Sequence, residues 1–153
     1  MFHEVVEDGE VSGAGVADTD ADEVTPTALL AAFDALLSEA VAEAGRERMR
    51  DETDVGKASI EAAAAGDVSG ISVTDAAAIV AVTADRDADA VVAEVRDHLL
   101  MGMATAVLDV DTLAAAIDAD LTGQEVQQAL EGRAEMTVGQ LAEVMAVIER
   151  RKR

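Results

Sequence analysis

The stretch that decides the fold is DLTGQEVQQALEGRAEMTVGQLAEVMAVI, residues 120–148. Asp120-Leu121-Thr122 reads as a turn, Val126 and Ala129 face inward at helical spacing, and Gly132 ends that short run. Thr137 then stands three residues before Gln140, the spacing at which a hydroxyl and a long side chain close a helix start reciprocally. Leu141, Val144 and Ile148 mark the inner face of the helix that follows. Upstream, Ala115, Ala116 and Ala119 lie on one face of a preceding short helix. The predicted order is short helix, turn, short helix, loop, closing helix.

Working outward, a long helix precedes this segment over about 88–108, with a stripe of Val91, Val95, Leu99, Gly102, Met103, Ala106 and Val107. An earlier long helix starts at Thr25-Pro26 and ends at Gly45, with Leu29, Phe33, Leu36, Leu37, Ala40 and Val41 in its stripe. A slide of 66 residues pairs Leu29 with Val95, Phe33 with Leu99, Leu37 with Met103, Ala40 with Ala106 and Val41 with Val107. The same slide pairs Asp54 with Asp120, Ile60 with Val126 and Gly66 with Gly132. A slide of 65 then pairs Ser72 with Thr137, Ile79 with Val144 and Val82 with Val147. The pattern predicts an internal duplication, residues 26–86 and 88–150. No strand-like alternation occurs, so the expected class is all-α: two tandem units, each a long helix, a helix-turn-helix and a closing helix. Residues 1–25 hold acids but no Lys or Arg, and predict a flexible acidic N-terminal arm.

Composition sets the chemical limits. There are 32 acidic and 11 basic residues, a net charge of -21, and only two of the bases are lysine (Lys57, Lys152). Only two phenylalanines and no tryptophan or tyrosine are present, so the core is built from small side chains that each remove little apolar area. Self-repulsion of that size weakens a compact state in dilute buffer, and molar salt screens it. Acid-rich, lysine-poor composition with small hydrophobes predicts a halophilic, cytoplasmic setting. Cysteine is absent, which excludes disulfides and thiolate sites, and no long uncharged apolar run predicts a membrane span.

The spacing of residues 115–148 resembles the helix-turn-helix of phage-repressor-type (Cro and lambda-repressor-like) DNA-binding domains. Met49, Thr53, Asp54, Val55, Ile60, Ala63, Gly66, Ser72, Ala76 and Ile79 repeat it. Where the family usually has glycine in the turn, this chain has Asp54 and Asp120, a residue type that tolerates left-handed backbone. The resemblance implies that the second short helix reads bases with Thr122, Gln124, Glu125, Gln127 and Gln128. Arg133 and, in the first unit, Lys57 would reach phosphates. The first unit otherwise offers Gly56, Ala58, Ser59, Glu61 and Ala62, a poorer reading surface. Acidity opposes such binding in dilute salt, where phosphate neutralisation supplies affinity, and less so at molar salt.

Residues 96–132, RDHLLMGMATAVLDVDTLAAAIDADLTGQEVQQALEG, resemble a small family of haloarchaeal proteins classed only as a domain of unknown function. That likeness supports the halophilic setting and brings no activity, cofactor or catalytic residue. His98 reads as a boundary histidine beside Glu94 and Asp97. Met101, Met103, Met136 and Met145 read as core fillers. Gly102, costly inside a helix, predicts close approach of another backbone, either the other unit's long helix or a second subunit. Asp18-Asp20-Asp22-Glu23 and Asp85-Asp87-Asp89 space acids as in a calcium loop but lack its glycine and terminal glutamate. No phosphate loop, nucleophile elbow or zinc signature appears, so the expectation is no enzyme, no cofactor and no metal. Two functions follow: a DNA-binding transcriptional regulator acting through the second unit, or a protein-protein adaptor that keeps the helix-turn-helix for packing alone. DNA, a protein partner and a homodimer are the partner classes left open, and a membrane is not among them.

Overall fold

A computed structural model describes residues 24–118 and 120–152. Most of the predicted N-terminal arm, with its acid run and Phe2, Val5 and Val6, therefore lies outside the described residues, as does Ala119. The described chain is all-α, with eight helices: α1 (Pro26–Ala44), α2 (Arg46–Glu52), α3 (Lys57–Ala64), α4 (Val73–Ala84), α5 (Ala88–Ala106), α6 (Val110–Ala116), α7 (Gly123–Leu130) and α8 (Val138–Arg151). The order long, short, short, closing occurs twice.

Local chemistry sets these boundaries. Thr25 Oγ1 accepts from Ala28 N–H at 3.1 Å, Pro26 opens α1 without wasting a donor, and Gly45 ends it at φ 84°. Ser72 caps α4, and Thr137 with Gln140 forms a complete capping box on α8. Gly66 and Gly132 take φ 73° and 79° just after α3 and α7, where side-chain-bearing residues are strained. The aspartates of the two turns, Asp54 and Asp120, are not left-handed. Among the described residues the non-glycine left-handed positions are Asp85 and Val107, which end α4 and α5.

Burial corrects the register of the repeat. The buried set of α1 is Leu29, Phe33, Leu37, Ala40 and Val41, and that of α5 is Val91, Val95, Leu99, Gly102 and Met103. These coincide at a shift of 62, one helical turn from the 66 that the apolar pattern suggests. The difference is absorbed in two loops. Gly45 alone joins α1 to α2, whereas residues 107–109 join α5 to α6; residues 53–56 join α2 to α3, whereas 117–122 join α6 to α7. Met49 and Leu113 are then equivalent buried anchors of α2 and α6. In the second unit Leu113 and Ile117 carry the inner face; Ala115 and Ala116 are exposed. Ala106 is half-buried and Val107 lies beyond the helix, so neither belongs to the stripe.

The two units share one hydrophobic core. α1 packs on α4 and α8, and α5 packs on α4 and α8, so each long helix lies between its own closing helix and that of the other unit. At the centre, Ser72 and Thr137 form an isolated antiparallel bridge. Val73 N–H donates to the Met136 carbonyl and Val138 N–H donates to the Ile71 carbonyl, both at 2.8 Å. Positions 71 and 136, 72 and 137, and 73 and 138 are equivalent at the shift of 65, so the two bonds are related by a local two-fold. Gly102 answers to this packing: a Cβ there would stand 2.6 Å from Ile148 Cγ2. The close neighbour is the unit's own closing helix, neither the other long helix nor a second subunit.

Candidate functional site

α7 carries the residues expected to read bases, and much of their bonding capacity is spent locally. Thr122 Oγ1 accepts from Glu125 N–H at 3.1 Å, and Glu125 Oε1 accepts from Thr122 N–H at 2.9 Å. The pair is a capping box, signalled by Thr-Gly-Gln-Glu at residues 122–125, and it engages both side chains at the start of α7. Gln127 donates to Glu131 Oε2 at 2.8 Å, and Arg133 pairs with the same carboxylate. The Gln127 amide first, and Arg133 second, hold the Glu131 carboxyl below its ordinary range. Arg133 is exposed and is engaged by this acid rather than standing alone. Asp111 lies so close to Gly123 that a Cβ there would collide with its carboxylate, which sets a further negative charge at the start of α7. Gln124 is exposed and Gln128 half-exposed on the outer face. Lys57 is exposed at the start of α3, which packs on α1 and α2, whereas α7 packs on α6 and α5. The two cationic positions sit on different subassemblies.

A second surface was not visible as such in the sequence. Among the described residues three large apolar side chains are exposed, and all lie in or just after α5: Leu100 (47%), Met101 (71%) and Val107 (89%). Leu100 and Val107 are seven apart, Ala104 lies between them and is exposed, and Met101 is one turn after Asp97. The four methionines expected in the core divide accordingly: Met103, Met136 and Met145 are buried, and Met101 is not. Residues 98–108, HLLMGMATAVL, form the longest stretch of the chain without an acidic residue. Val107 adopts φ 56° and ψ 51°, left-handed backbone that a β-branched side chain resists, and α6 leaves α5 there at 95°. Exposed acids flank the face, Asp97 at one end and Asp109 and Asp111 at the other.

The described part of the chain matches the model of a family of unknown function, DUF5791, over residues 29–151. The chain belongs to this family. No curated protein and no solved structure matches it. The DUF5791 match takes in both four-helix units, and with them α7 and the exposed face of α5.

Elsewhere in this DUF5791 chain, His98 Nε2 lies 3.6 Å from Glu149 Oε2 across the α5–α8 contact, and Lys152 Nζ is 3.0 Å from the same oxygen. The histidine sits at the core boundary, with Glu149 and Lys152 beside it. Among the described residues no group of three or more His, Asp or Glu side chains is placed to hold a metal ion. Asp85, Asp87 and Asp89 instead end α4, precede α5 and enter its first turn. Among the described residues no single helix is long and apolar enough to cross a membrane.

Proposed function

We propose that this DUF5791 protein is a non-enzymatic protein-protein interaction module that binds through the outer face of α5. The observation that carries this reading is the clustering of the exposed Leu100, Met101 and Val107 in and just after the last turns of α5. In a chain of net charge -21, apolar surface outside a core has no solubility role, and clustered exposure of this kind marks interaction surfaces. The left-handed Val107 adds to the case, since strained non-glycine backbone persists where function requires the side chain. The flanking Asp97, Asp109 and Asp111 favour a partner helix that is apolar in the middle and basic at both ends. A second copy of the chain, paired antiparallel, would bring acids against acids at each end. The helix-turn-helix pairs serve packing in this reading, and the halophilic composition sets the ionic strength at which the module works.

The second reading, a DNA-binding regulator, rests on Gln124 and Gln128, the outer-face residues of α7 whose side chains have no hydrogen bond among the described residues. One experiment separates the two. Tagged protein is recovered from its native cell at 0.15 M and molar KCl as wild type, Met101→Asp and Gln124→Ala/Gln128→Ala. A protein partner kept by the wild type and the glutamine variant but lost by Met101→Asp supports the module. DNA fragments sharing a motif, kept by Met101→Asp and lost by the glutamine variant, move the function to α7.

A further inference from the structure

The two units differ at one equivalent place, and the difference opens a pocket. In the first unit Asp34 Oδ1 accepts from Val68 N–H at 3.0 Å, tying the loop after α3 to the long helix, while Phe33 is fully buried beneath it. At the shift of 62 the corresponding residues of α5 are Arg96 and Val95. Valine fills less space than phenylalanine, and Ala134 stands in the loop where the first unit has Val68. A pocket of about 160 Å³ lies here, between α5, the end of α7 and the starts of α4 and α8. Its walls include Val95, Leu99, Met136 and Leu141, and its polar groups are Arg96, Thr74 and Glu135.

Arg96 is oriented and unspent. Its guanidinium lies against Gly132, where a Cβ would collide with Nη1 and where φ is +79°. Among the described residues no carboxylate pairs with it, although the chain has 32 acids. Glu135, the acid lining the same pocket, instead accepts from Thr74 Oγ1 at 2.9 Å. A guanidinium presents a planar fork that matches a carboxylate in two parallel hydrogen bonds. An apolar cavity of about 150 Å³ holds a molecule the size of benzene. We propose that this pocket binds a small branched aliphatic carboxylate, its head on Arg96 and its tail between Val95, Leu99 and Leu141. In the first unit Asp34 ties down the equivalent loop and the fully buried Phe33 stands where α5 has Val95. This inference rests on Arg96 and the walls around it, not on the exposed Leu100, Met101 and Val107.

The test is an NMR titration of the isotope-labelled chain with 3-methylbutanoate and with its uncharged analogue 3-methylbutan-1-ol. Wild type, Arg96→Gln and Val95→Phe are compared after circular dichroism has established their helix content. The expected result is saturable binding of the acid, with Kd on the order of a millimolar for so small a ligand, and shifts centred on Arg96, Gly132 and Leu141. Arg96→Gln and the alcohol should each bind at least tenfold more weakly. Val95→Phe, which restores the first unit's filling, should abolish saturation. Equal binding of acid and alcohol, undiminished binding by folded Val95→Phe, or no saturable binding to wild type overturns the proposal.

Discussion

Asp75 and Glu135 face each other at the start of α4, and their mutual effect can be measured. Burial, and then the charge of Glu135, raise the Asp75 carboxyl above its ordinary range. A folded-state pKa above the unfolded one means that the stability tied to Asp75 is fullest in acid and is lost as pH rises through the folded value. Glu135→Gln keeps an oxygen to accept from Thr74 and removes the charge. The expected outcome is a gain of about 0.5 kcal/mol at pH 7 and low salt, a rise of roughly 1–2 °C in Tm. The gain should vanish in acid, once the Asp75 carboxyl with its raised pKa is protonated and neutral, and shrink in molar KCl. Gly102 gives a second test at this scale. Gly102→Ala gains about 1 kcal/mol of helix propensity but meets Ile148 Cγ2 at 2.6 Å, an overlap that costs about 1–3 kcal/mol. Gly102→Ala should therefore lower Tm, and Gly102→Ala/Ile148→Ala should be less destabilised than the sum of its single changes. A Tm raised by Gly102→Ala alone contradicts the packing described.

Among the elements, the end of α5 trades stability for surface. Val107→Gly relieves left-handed strain worth about 1–2 kcal/mol, less the entropy that glycine returns to the unfolded chain. A net stabilisation of about 0.5–1 kcal/mol in thermal or urea unfolding is expected, together with weaker partner capture. Loss of stability contradicts the assigned conformation. The helices themselves were legible from residues: Thr25-Pro26, Gly45, Ser72 and Thr137 carry cap chemistry that acts locally, and all four behave as the sequence implies. The register of the long helices was not, because a slip of four residues is one helical turn and leaves apolar facing apolar. The capping box of Thr122 and Glu125 is spelled by their spacing but is easily passed over, because the same residue types also suit base contact. The α5 face was hidden for a different reason. Leu100 and Met101 sit in one apolar run with buried Leu99 and Met103, and the positions of α4 and α8 decide which side of that run is covered.

For the whole molecule, the exchange of closing helices makes the duplication a single folding unit. Each long helix loses the closing helix of the other unit when that unit is removed, and the small-residue core has little reserve. Residues 24–86 or 88–152 alone should lack a cooperative thermal transition in far-UV circular dichroism, whereas the full chain should unfold in one transition coincident by different probes. A half that melts cooperatively contradicts the shared core. The pocket beside Arg96 and the exposed face of α5 are then two places where the second unit differs from the first, whose equivalent position Asp34 closes.

The most direct test of the proposed function is site-specific photo-crosslinking in the native cell, with a photoreactive residue placed at position 101 or at position 124. The expected result is a discrete protein adduct from position 101 and none from position 124. A DNA or protein adduct from position 124 with nothing at position 101 contradicts the account and returns the function to α7.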